Sequence, residues 1–522
     1  MGSIKQLQVA PRAARDKILT IDQLAAVAGE ARRAKKVVAL AHGSFDLVHL
    51  GHVRHLELAR EQGDVLIVTV TGDRFLNKGP GRPVFTASLR AEMLAALSCI
   101  DWVGINEAPT SVNVIDAIKP DVYVKGSDYA ESAQDLTGKI IDERDAVEAH
   151  GGRVHFTDDI VFSSSALLNR HFDVSNPELR AYLQDKRERG DMLGRLMQMI
   201  EGISALRVLL VGDTIIDEYQ YVSPLSKSPK ENLIPTLYRE RELFAGGVIA
   251  AANHVAGFCK QVDILTCLGE GDPHNEVVSQ ALKPNVKLYS VTRHGVPTNR
   301  KCRFIDSDYF RKLFEVHFME DLPVSGELES SFVARIRELA PAYDLVIVTD
   351  FGHGLMTESA TRAVTEASRF IAVNAQSNSS NMGYNLVTRY GRANYICVDA
   401  PEARLAAGEK YAEVEEILTS NLSRRIDCER FIITHGRHGC VTFDKSRDQV
   451  RRIPAFTAQV TDTMGAGDAF LAITSPLVAA GSDMELVGFV GNAVGAMKVG
   501  IVGHRQSVEK IPLLKYLTAL LK

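Results

Sequence analysis

Twice along the chain, short apolar runs alternate with stretches whose apolar residues recur at helical spacing. The first series runs through VVALA (37–41), DVLIVTV (64–70), DWVGI (101–105), DVYVKG (121–126) and RVHFTD (153–158). Between the runs, 51–62 carries Val53, Leu56 and Ala59 on one stripe, and 86–98 carries Leu89, Met93, Leu94 and Leu97. A strand that is apolar throughout must be covered on both faces, and helices between consecutive strands supply that cover. The pattern therefore predicts a parallel sheet in an α/β domain. The second series runs through RVLLVGD (207–213), VDILTCLG (262–269), DLVIVTD (344–350), FIAVNA (370–375), YICVD (395–399) and RFIITHG (430–436). It ends in helical patterns over 466–480 and 484–499 and predicts a second, larger α/β domain. Between the two, Asn176-Pro177-Glu178 joins a capping side chain, a first-turn proline and an acid, which is a helix start. The charged stretch QDKRERGD then interrupts any apolar face. We expect a first domain over 1–172, a helical linker over 173–204 and a second domain over 205–522. The halves share an architecture without a repeated motif, which describes a fusion.

With 522 residues the chain is too long for one ordinary core. A net charge of −5 gives no reason to expect a nucleic acid or an anionic membrane as partner. The seven cysteines form no CxxC pair, the usage of a reducing compartment. The first residues, MGSIKQLQVAPRAARDK, lack the apolar core of a signal peptide, and Gln6 stands where a myristoylation pattern wants Ser or Thr. No run of about twenty apolar residues offers a membrane span. The expectation is a cytoplasmic, soluble protein.

HGSFDLVHLGH, residues 42–52, stands where the first strand gives way to a helix. A glycine between a strand end and a helix start brings backbone N–H groups and the positive end of a helix dipole to one point, which suits phosphate. His49 and His52 lie three residues apart and face one site, and Gly51 lets a bulky ligand approach. Two other readings stay open. His42, His49, His52 and His55 count as candidate metal ligands, although no Cys or acid completes a tetrahedral site, or as packed structural histidines. NKGPGRP (77–83) puts Lys78 and Arg82 on a loop after the second strand, at the edge where open α/β sheets bind ligands. FSSSALLNR (162–170) opens another helix with serines that either bind phosphate oxygens or cap the helix.

GSFDLVHLGH resembles the GxFDxxHxGH motif of the cytidylyltransferase-like nucleotidyltransferases. RPVFTASLRAEMLAAL looks like that family's RP…R…L segment, DVYVKGSDY like its VKGxDY segment, and FSSSALL like its closing helix start. The RP and KGxDY segments look most similar to the sugar-phosphate adenylyltransferase domain of the bifunctional ADP-heptose enzymes. The resemblance implies a Rossmann-like nucleotidyltransferase domain, in which a sugar phosphate oxygen attacks the α-phosphorus of a nucleoside triphosphate and pyrophosphate leaves. Positioning and charge neutralisation dominate such a reaction. By this resemblance His49 and His52 stabilise charge on the triphosphate and Lys78 neutralises phosphate oxygens. Gly43, Ser44, Phe45, Gly51, Arg82, Lys125, Gly126, Ser164 and Ser165 line the nucleotide. Asp46 reads as a structural or Mg²⁺-orienting group, because the attacking phosphate is already ionised.

In the second half, DTMGAGDAF (462–470) precedes a helical run. Gly465, Ala466 and Gly467 can present successive N–H groups as an anion hole, and Asp468 in the first turn can take a proton from a sugar hydroxyl. Asp468 as a mere helix-dipole acid is the alternative. The string resembles the signature of the ribokinase-like (PfkB) sugar kinases. VGDTIIDEY looks like their opening segment, AGGVIAAANHVAGF like their second glycine motif, and TDFGHG like the SDYxKG segment of heptose-phosphate kinases. The resemblance implies a ribokinase-like α/β domain that uses ATP and Mg²⁺. It places Asp213, Asp217, Gly246, Gly247, Asn253 and Asp350 at the sugar. The family often carries N-x-x-E for Mg²⁺, where this chain offers Asp399 and Glu402 in VDAPEA. VNAQSNSSNMGYN (373–385) replaces the usual D-P-K/R region, and the transferase precedes the kinase, the reverse of the bifunctional heptose enzymes.

Together the halves imply a bifunctional enzyme of nucleotide-sugar synthesis, a sugar kinase joined to a sugar 1-phosphate nucleotidyltransferase of adenylyl type. Its partners would be a sugar or sugar phosphate and a nucleoside triphosphate. Three alternatives remain: CTP as donor for a polyol or other small phosphate, a kinase for an unrelated polar metabolite, or one silent domain kept as a binding module. Met192, Leu193, Leu196, Met197 and Ile200 give the linker an apolar face, which either pairs two chains as a homodimer or packs on a domain.

Overall fold

The computed structural model describes residues 13–76, 83, 85–126, 139–157, 177–188, 190–457 and 460–521. The chain forms two compact units, the first within 1–174 plus 514–520 and the second within 175–513.

Among the described residues the first unit is built on five parallel strands: β1 (Val38–Gly43), β2 (Val65–Thr71), β3 (Trp102–Asn106), β4 (Val122–Gly126) and β5 (Arg153–Thr157). Their order is β3-β2-β1-β4-β5, so the winding reverses between β1 and β4. Successive residues of a strand face opposite sides, and both sides are dry. Ala39, Ala41, Leu66 and Val68 pack with Leu56 and Leu94 on one face, while Val38, Leu40 and Ile67 pack with Leu24, Ile115 and Ile118 on the other. The helix Ile21–Arg33 starts at a capping box, in which Thr20 and Gln23 each bond the other's backbone N–H.

Among the described residues the second unit holds two sheets. Nine strands, β6 (Arg207–Gly212), β9 (Gln261–Gly269), β10 (Val286–Arg293), β13 (Leu345–Asp350), β14 (Ile371–Ala375), β15 (Tyr395–Asp399), β16 (Arg430–Thr434), β17 (Cys440–Asp444) and β18 (Gln449–Ile453), lie in the order β10-β9-β6-β13-β14-β15-β16-β17-β18. They are parallel as far as β16, and β17 and β18 run antiparallel. A four-stranded sheet, β12-β11-β7-β8, is formed by β7 (Thr214–Pro224), β8 (Thr236–Gly247), β11 (Arg300–Asp306) and β12 (Arg311–Phe318). The apolar-run reading does not contain this sheet. Its strands mix charges into the sequence: β12, RKLFEVHF, is largely exposed, whereas the buried β7 and β11 carry charges that pair across the sheet, Asp217 with Arg303 and Glu218 with Arg300.

The helices Pro177–Glu188 and Met192–Gly202 belong to the second unit. Tyr182 stacks on Phe489 with ring centroids 6.3 Å apart, and Lys186 pairs with Glu485. Met192, Leu196 and Ile200 are buried within the chain, so the apolar face left open for pairing two chains is already covered. All seven cysteines are free thiols. Among the described residues no helix is long and apolar enough to cross a membrane.

Arg90 ties the first unit together. It is fully buried and donates to the carbonyls of Phe85 (3.0 Å), Thr71 (2.8 Å) and Ser44 and to Asp73 (2.7 Å). Replacing it with Met strands these acceptors, and we expect the unit to lose about 3 kcal/mol or more. The single tryptophan, Trp102, lies in β3, so its fluorescence during urea unfolding reports this unit. An unchanged midpoint for Arg90→Met would remove the clamp.

Candidate active sites

In an open parallel sheet, ligands gather at the carboxyl ends of the strands where the winding reverses. In the first unit the segment 42–52 leaves β1 at that place. Phe45 takes a left-handed φ of 43°, and its ring lies 3.0 Å from where a Gly43 Cβ would stand, so glycine leaves that ring its place. Arg90 holds the Ser44 carbonyl, and Asp46 is fully buried. His49 is the N-cap of the helix Leu50–Glu61, and its own side chain makes no capping hydrogen bond there. Gly51 and His52 lie in its first turn, and the rings of His49 and His52 stack with centroids 4.0 Å apart. The edge of Phe45 fixes His52 from beside, at 5.3 Å.

The other two histidines serve the scaffold. His42 Nδ1 meets Thr69 Oγ1 at 2.9 Å, and His55 Nδ1 meets Thr157 Oγ1 at 2.8 Å. Among the described residues no group of three or more His, Cys, Asp or Glu side chains is placed to hold a metal ion. Lys125 and Gly126 end β4. Lys125 is buried and paired with Glu143 at 2.8 Å, so an anion arriving there competes with that carboxylate. Lys78, Arg82, Ser164 and Ser165 lie outside the described residues.

In the second unit a cavity of about 350 Å³ opens at the carboxyl ends of β14, β15 and β16. Asp217, Gly247, Gly465, Gly467 and Asp468 from the sequence analysis all line it, as do Asp399 and Glu402. Gly465 (φ 69°) is the N-cap of the helix Ala466–Ala479 and brings no side-chain oxygen to compete for the first-turn N–H groups. The N–H of Ala466 turns back to the Thr463 carbonyl at 3.3 Å. Asp468 is buried in that first turn. Burial, helped by the charge of Asp217, pushes its carboxyl up to about 6 against the opposing pull of His504 and Lys498.

Asp217 lies on β7 and pairs with Arg303 on β11. Burial alone would raise its carboxyl, but a hydrogen bond from His504 and the Arg303 charge outweigh burial and hold it well below the usual range. A Cβ on Gly246 would stand 2.0 Å from Asp217 Oδ2, which is why glycine precedes Gly247 there.

Three expected sugar ligands are placed elsewhere. Asn253 is absent from the cavity wall because both ends of its amide hold backbone, the Ala281 carbonyl at 2.8 Å and the Lys283 N–H at 3.1 Å. Asp350 is buried and fully engaged, by Tyr390 Oη at 2.9 Å, Asn385 Nδ2 at 3.1 Å and the Gly352 N–H at 2.9 Å. Asp213 accepts from the Phe351 N–H at 3.1 Å, and burial together with the Asp350 charge pushes it up to about 7.

The pair expected to serve a metal is also a helix start. Asp399 accepts from the Glu402 N–H at 2.7 Å, and Glu402 accepts from the Asp399 N–H at 2.9 Å, a capping box for the helix Ala400–Ala407. Glu402 still faces the cavity, where burial and the charges of Asp399 and Asp468 push it up to about 8.

The asparagine-rich stretch 373–385 is a polar clasp. Asn378 and Asn381 donate to the Phe351 carbonyl at 2.7 and 2.9 Å, and Asn385 holds Asp350. At its start Gln376 donates to Asp468 Oδ1 at 3.0 Å. Sequence reasoning missed Gln376, Arg303 and His504, since no local spacing connects them to the GAGD string.

Residues 40–170 match the family model described as Cytidylyltransferase-like, and residues 205–511, more than half of the chain, match that of the pfkB family carbohydrate kinase. Over 141 residues the chain is 45% identical to Bifunctional protein HldE of Citrifermentans bemidjiense, covering 26% of this chain and 27% of that protein. Over 129 residues it is 43% identical to Bifunctional protein HldE of Syntrophotalea carbinolica, covering 24% and 25%. The matched stretch spans about a quarter of the length of these relatives. Among solved structures, Arabidopsis thaliana ribokinase complexed with ribose and ATP is similar at 18% identity, over 61% of this chain and 99% of that one, with a TM-score of 0.44.

A carboxylate that accepts a proton must first be ionised, and Asp468 keeps its proton below a pH of about 6. Phosphoryl transfer that uses Asp468 as base should rise about tenfold per pH unit below ~6 and level off above it. A rate independent of pH from about 5 to 8 would exclude Asp468 from that role.

Proposed function

The chain belongs to the pfkB family of carbohydrate kinases, with a cytidylyltransferase-like domain ahead of the kinase, and from that premise we propose a bifunctional enzyme of nucleotide-sugar synthesis. The second unit phosphorylates a hydroxyl of a sugar phosphate with ATP. The first transfers an adenylyl group from ATP to a sugar 1-phosphate and releases pyrophosphate. The observation that carries the kinase reading is Asp468, buried in the first turn of a helix whose glycine N-cap faces the same cavity.

In this reading the sugar hydroxyl oxygen attacks the γ-phosphorus, Asp468 takes the hydroxyl proton, and ADP leaves. The first-turn N–H groups around Gly465 and Gly467 meet the charge that gathers on the transferring phosphoryl group. Asp217 accepts from sugar hydroxyls, oriented by Arg303 and His504. Lys301 and Arg303, both buried and both on the cavity wall, favour a substrate that already carries a phosphate. Mg²⁺ takes one or two carboxylates beside its phosphate oxygens, and the negative charge collected around Glu402 fits that need. Glu402, seated by Asp399, would hold the ion, which when bound neutralises phosphate charge.

In the first unit His49 and His52 present a stacked pair at a helix start, and the triphosphate lies against them. The adenylyl donor and a heptose-type sugar are supported by the likeness of the RP and KGxDY segments to the ADP-heptose enzymes. A CTP-dependent transfer to a polyol phosphate is the second reading, because the phosphate-facing residues do not read the base.

The deciding assay is pyrophosphate release from ATP or CTP, each with D-glycero-β-D-manno-heptose 1-phosphate or glycerol 3-phosphate. Release with ATP and the heptose phosphate is expected, and release only with CTP moves the function to CDP-activated compounds. Asp468→Asn should abolish phosphorylation and spare nucleotidyl transfer, and His52→Ala should do the reverse. Loss of both activities from either change, in a folded protein, would refute two independent sites.

A further inference from the structure

The cavity face of the four-stranded sheet carries charges that the scheme above uses only in part. In the register of β7, β11 and β12, Lys301 stands between Asp217 and His317, and Arg303 stands between Tyr219 and Glu315. Lys301, Arg303 and Glu315 all line the kinase cavity. Two carboxylates share the Arg303 guanidinium. Asp217 Oδ1 lies 2.5 Å from a terminal nitrogen, and Glu315 Oε2 lies 3.1 Å from Nε. His317 Nε2 meets the other Glu315 oxygen at 2.8 Å. Lys301 is buried, and among the described residues its ammonium has no hydrogen bond or ion pair.

An ammonium in such a place is costly until an anion meets it. Burial and the Arg303 charge push the Lys301 pKa down, against the raising charges of Asp217 and Glu315. Burial would raise the Glu315 carboxyl, but the His317 hydrogen bond and the Arg303 charge outweigh it and hold Glu315 below the usual range. The two acids on Arg303 differ in freedom. The Asp217 side chain is 4% exposed and also faces His504, whereas that of Glu315 is 32% exposed. Glu315 is therefore the one that can turn to water, since a partly exposed ion pair is weak and a phosphate bonded to a guanidinium is strong. When it turns, Arg303 Nε and His317 Nε2 lose an acceptor beside an ammonium that already lacks one. Three nitrogens of that kind suit the oxygens of a phosphate. The register puts Asp217 directly beside Lys301, so a phosphate held there belongs to the molecule whose hydroxyls Asp217 binds.

We propose that Glu315 is a resident counter-ion that stands in for the phosphate of a sugar phosphate and gives way to it, leaving that phosphate to Lys301, Arg303 and His317. A sugar without a phosphate does not displace Glu315 and leaves Lys301 unpaired, so the exchange selects phosphorylated over neutral sugars. Glu315 also competes with the phosphate, so its removal tightens the subsite. The proposal rests on the kinase reading of that cavity.

The test uses the full chain, with calorimetric binding of inorganic phosphate and steady-state kinetics as separate readouts. Glu315→Gln should bind phosphate about tenfold more tightly than the wild type, and adding Lys301→Met should abolish the gain. Phosphate bound elsewhere in the chain cancels in that comparison. In kinetics, hexose and heptose phosphates are each compared with the same sugar lacking its phosphate. Glu315→Gln should lower the KM of the sugar phosphate about tenfold and leave that of the neutral sugar behind, and His317→Gln should raise the KM of the sugar phosphate alone. Unchanged or weaker phosphate binding in Glu315→Gln overturns the proposal, as does a gain that survives Lys301→Met. Equal KM changes for phosphorylated and neutral sugars overturn it too. A KM change confined to ATP would assign the nitrogens to the nucleotide and likewise overturn it. If Glu315→Gln does not fold, Glu315→Ala replaces it and, should that fail as well, the His317→Gln kinetics decide. If the wild type phosphorylates no sugar, the proposed function fails and phosphate binding still judges Glu315.

Discussion

Parallel alignment of strands is the constraint on which both units depend. Strands that run the same way deliver all their carboxyl ends to one edge, and the helices that follow point their N-termini there. The edge then collects backbone N–H groups and the positive ends of helix dipoles without any charged residue being needed. Both units exploit this twice over. In the first, β1 runs into a glycine, a strained phenylalanine and a helix start at His49. In the second, the ends of β14, β15 and β16 surround a cavity onto which the Ala466–Ala479 helix opens. Two chemistries that share only phosphate find the same architectural answer.

What distinguishes the kinase cavity is how much opposite charge is buried around it. Asp217 is stabilised in its charged form by Arg303 and His504, whereas Asp468 and Glu402 are held near the point where they gain a proton. The contrast follows from partners. Asp217 has a guanidinium, but Asp468 has the neutral amide of Gln376. A carboxylate bonded to an amide is oriented without being made a weak base, which is the condition a proton acceptor requires.

Much of this was legible in the sequence, and the boundary between what was and was not is physical. Apolar runs such as VVALA and DLVIVTD became β1 and β13 because a strand covered on both faces has no room for polar residues. The glycine strings were legible because Gly246 and Gly465 each stand where a Cβ would collide. The four-stranded sheet was not, since β12 is exposed and tolerates charges, and the buried β7 and β11 carry charges paired across the sheet, so no apolar run marks them. Nor were the long polar contacts. Arg90 reaches Ser44 across 46 residues and Gln376 reaches Asp468 across 92, and neither leaves a periodic mark. Asn253 and Asp350 show the opposite limit. Their motif positions resemble those of a sugar site, but their polar atoms are engaged by the backbone and by the clasp formed over 373–385.

The capping box at Asp399 and Glu402 ties two properties of the protein to one pair of side chains. The carboxylates that face the cavity also hold the first N–H groups of the helix Ala400–Ala407. A mutation that retunes the electrostatics of the cavity at either position simultaneously frays that helix, so local stability and catalytic tuning cannot drift independently there. Adaptation of this enzyme to a new substrate has far more freedom on the β7–β11 wall, where Lys301 stands free of any helix start, than at the acids that look, by type alone, the easiest to exchange.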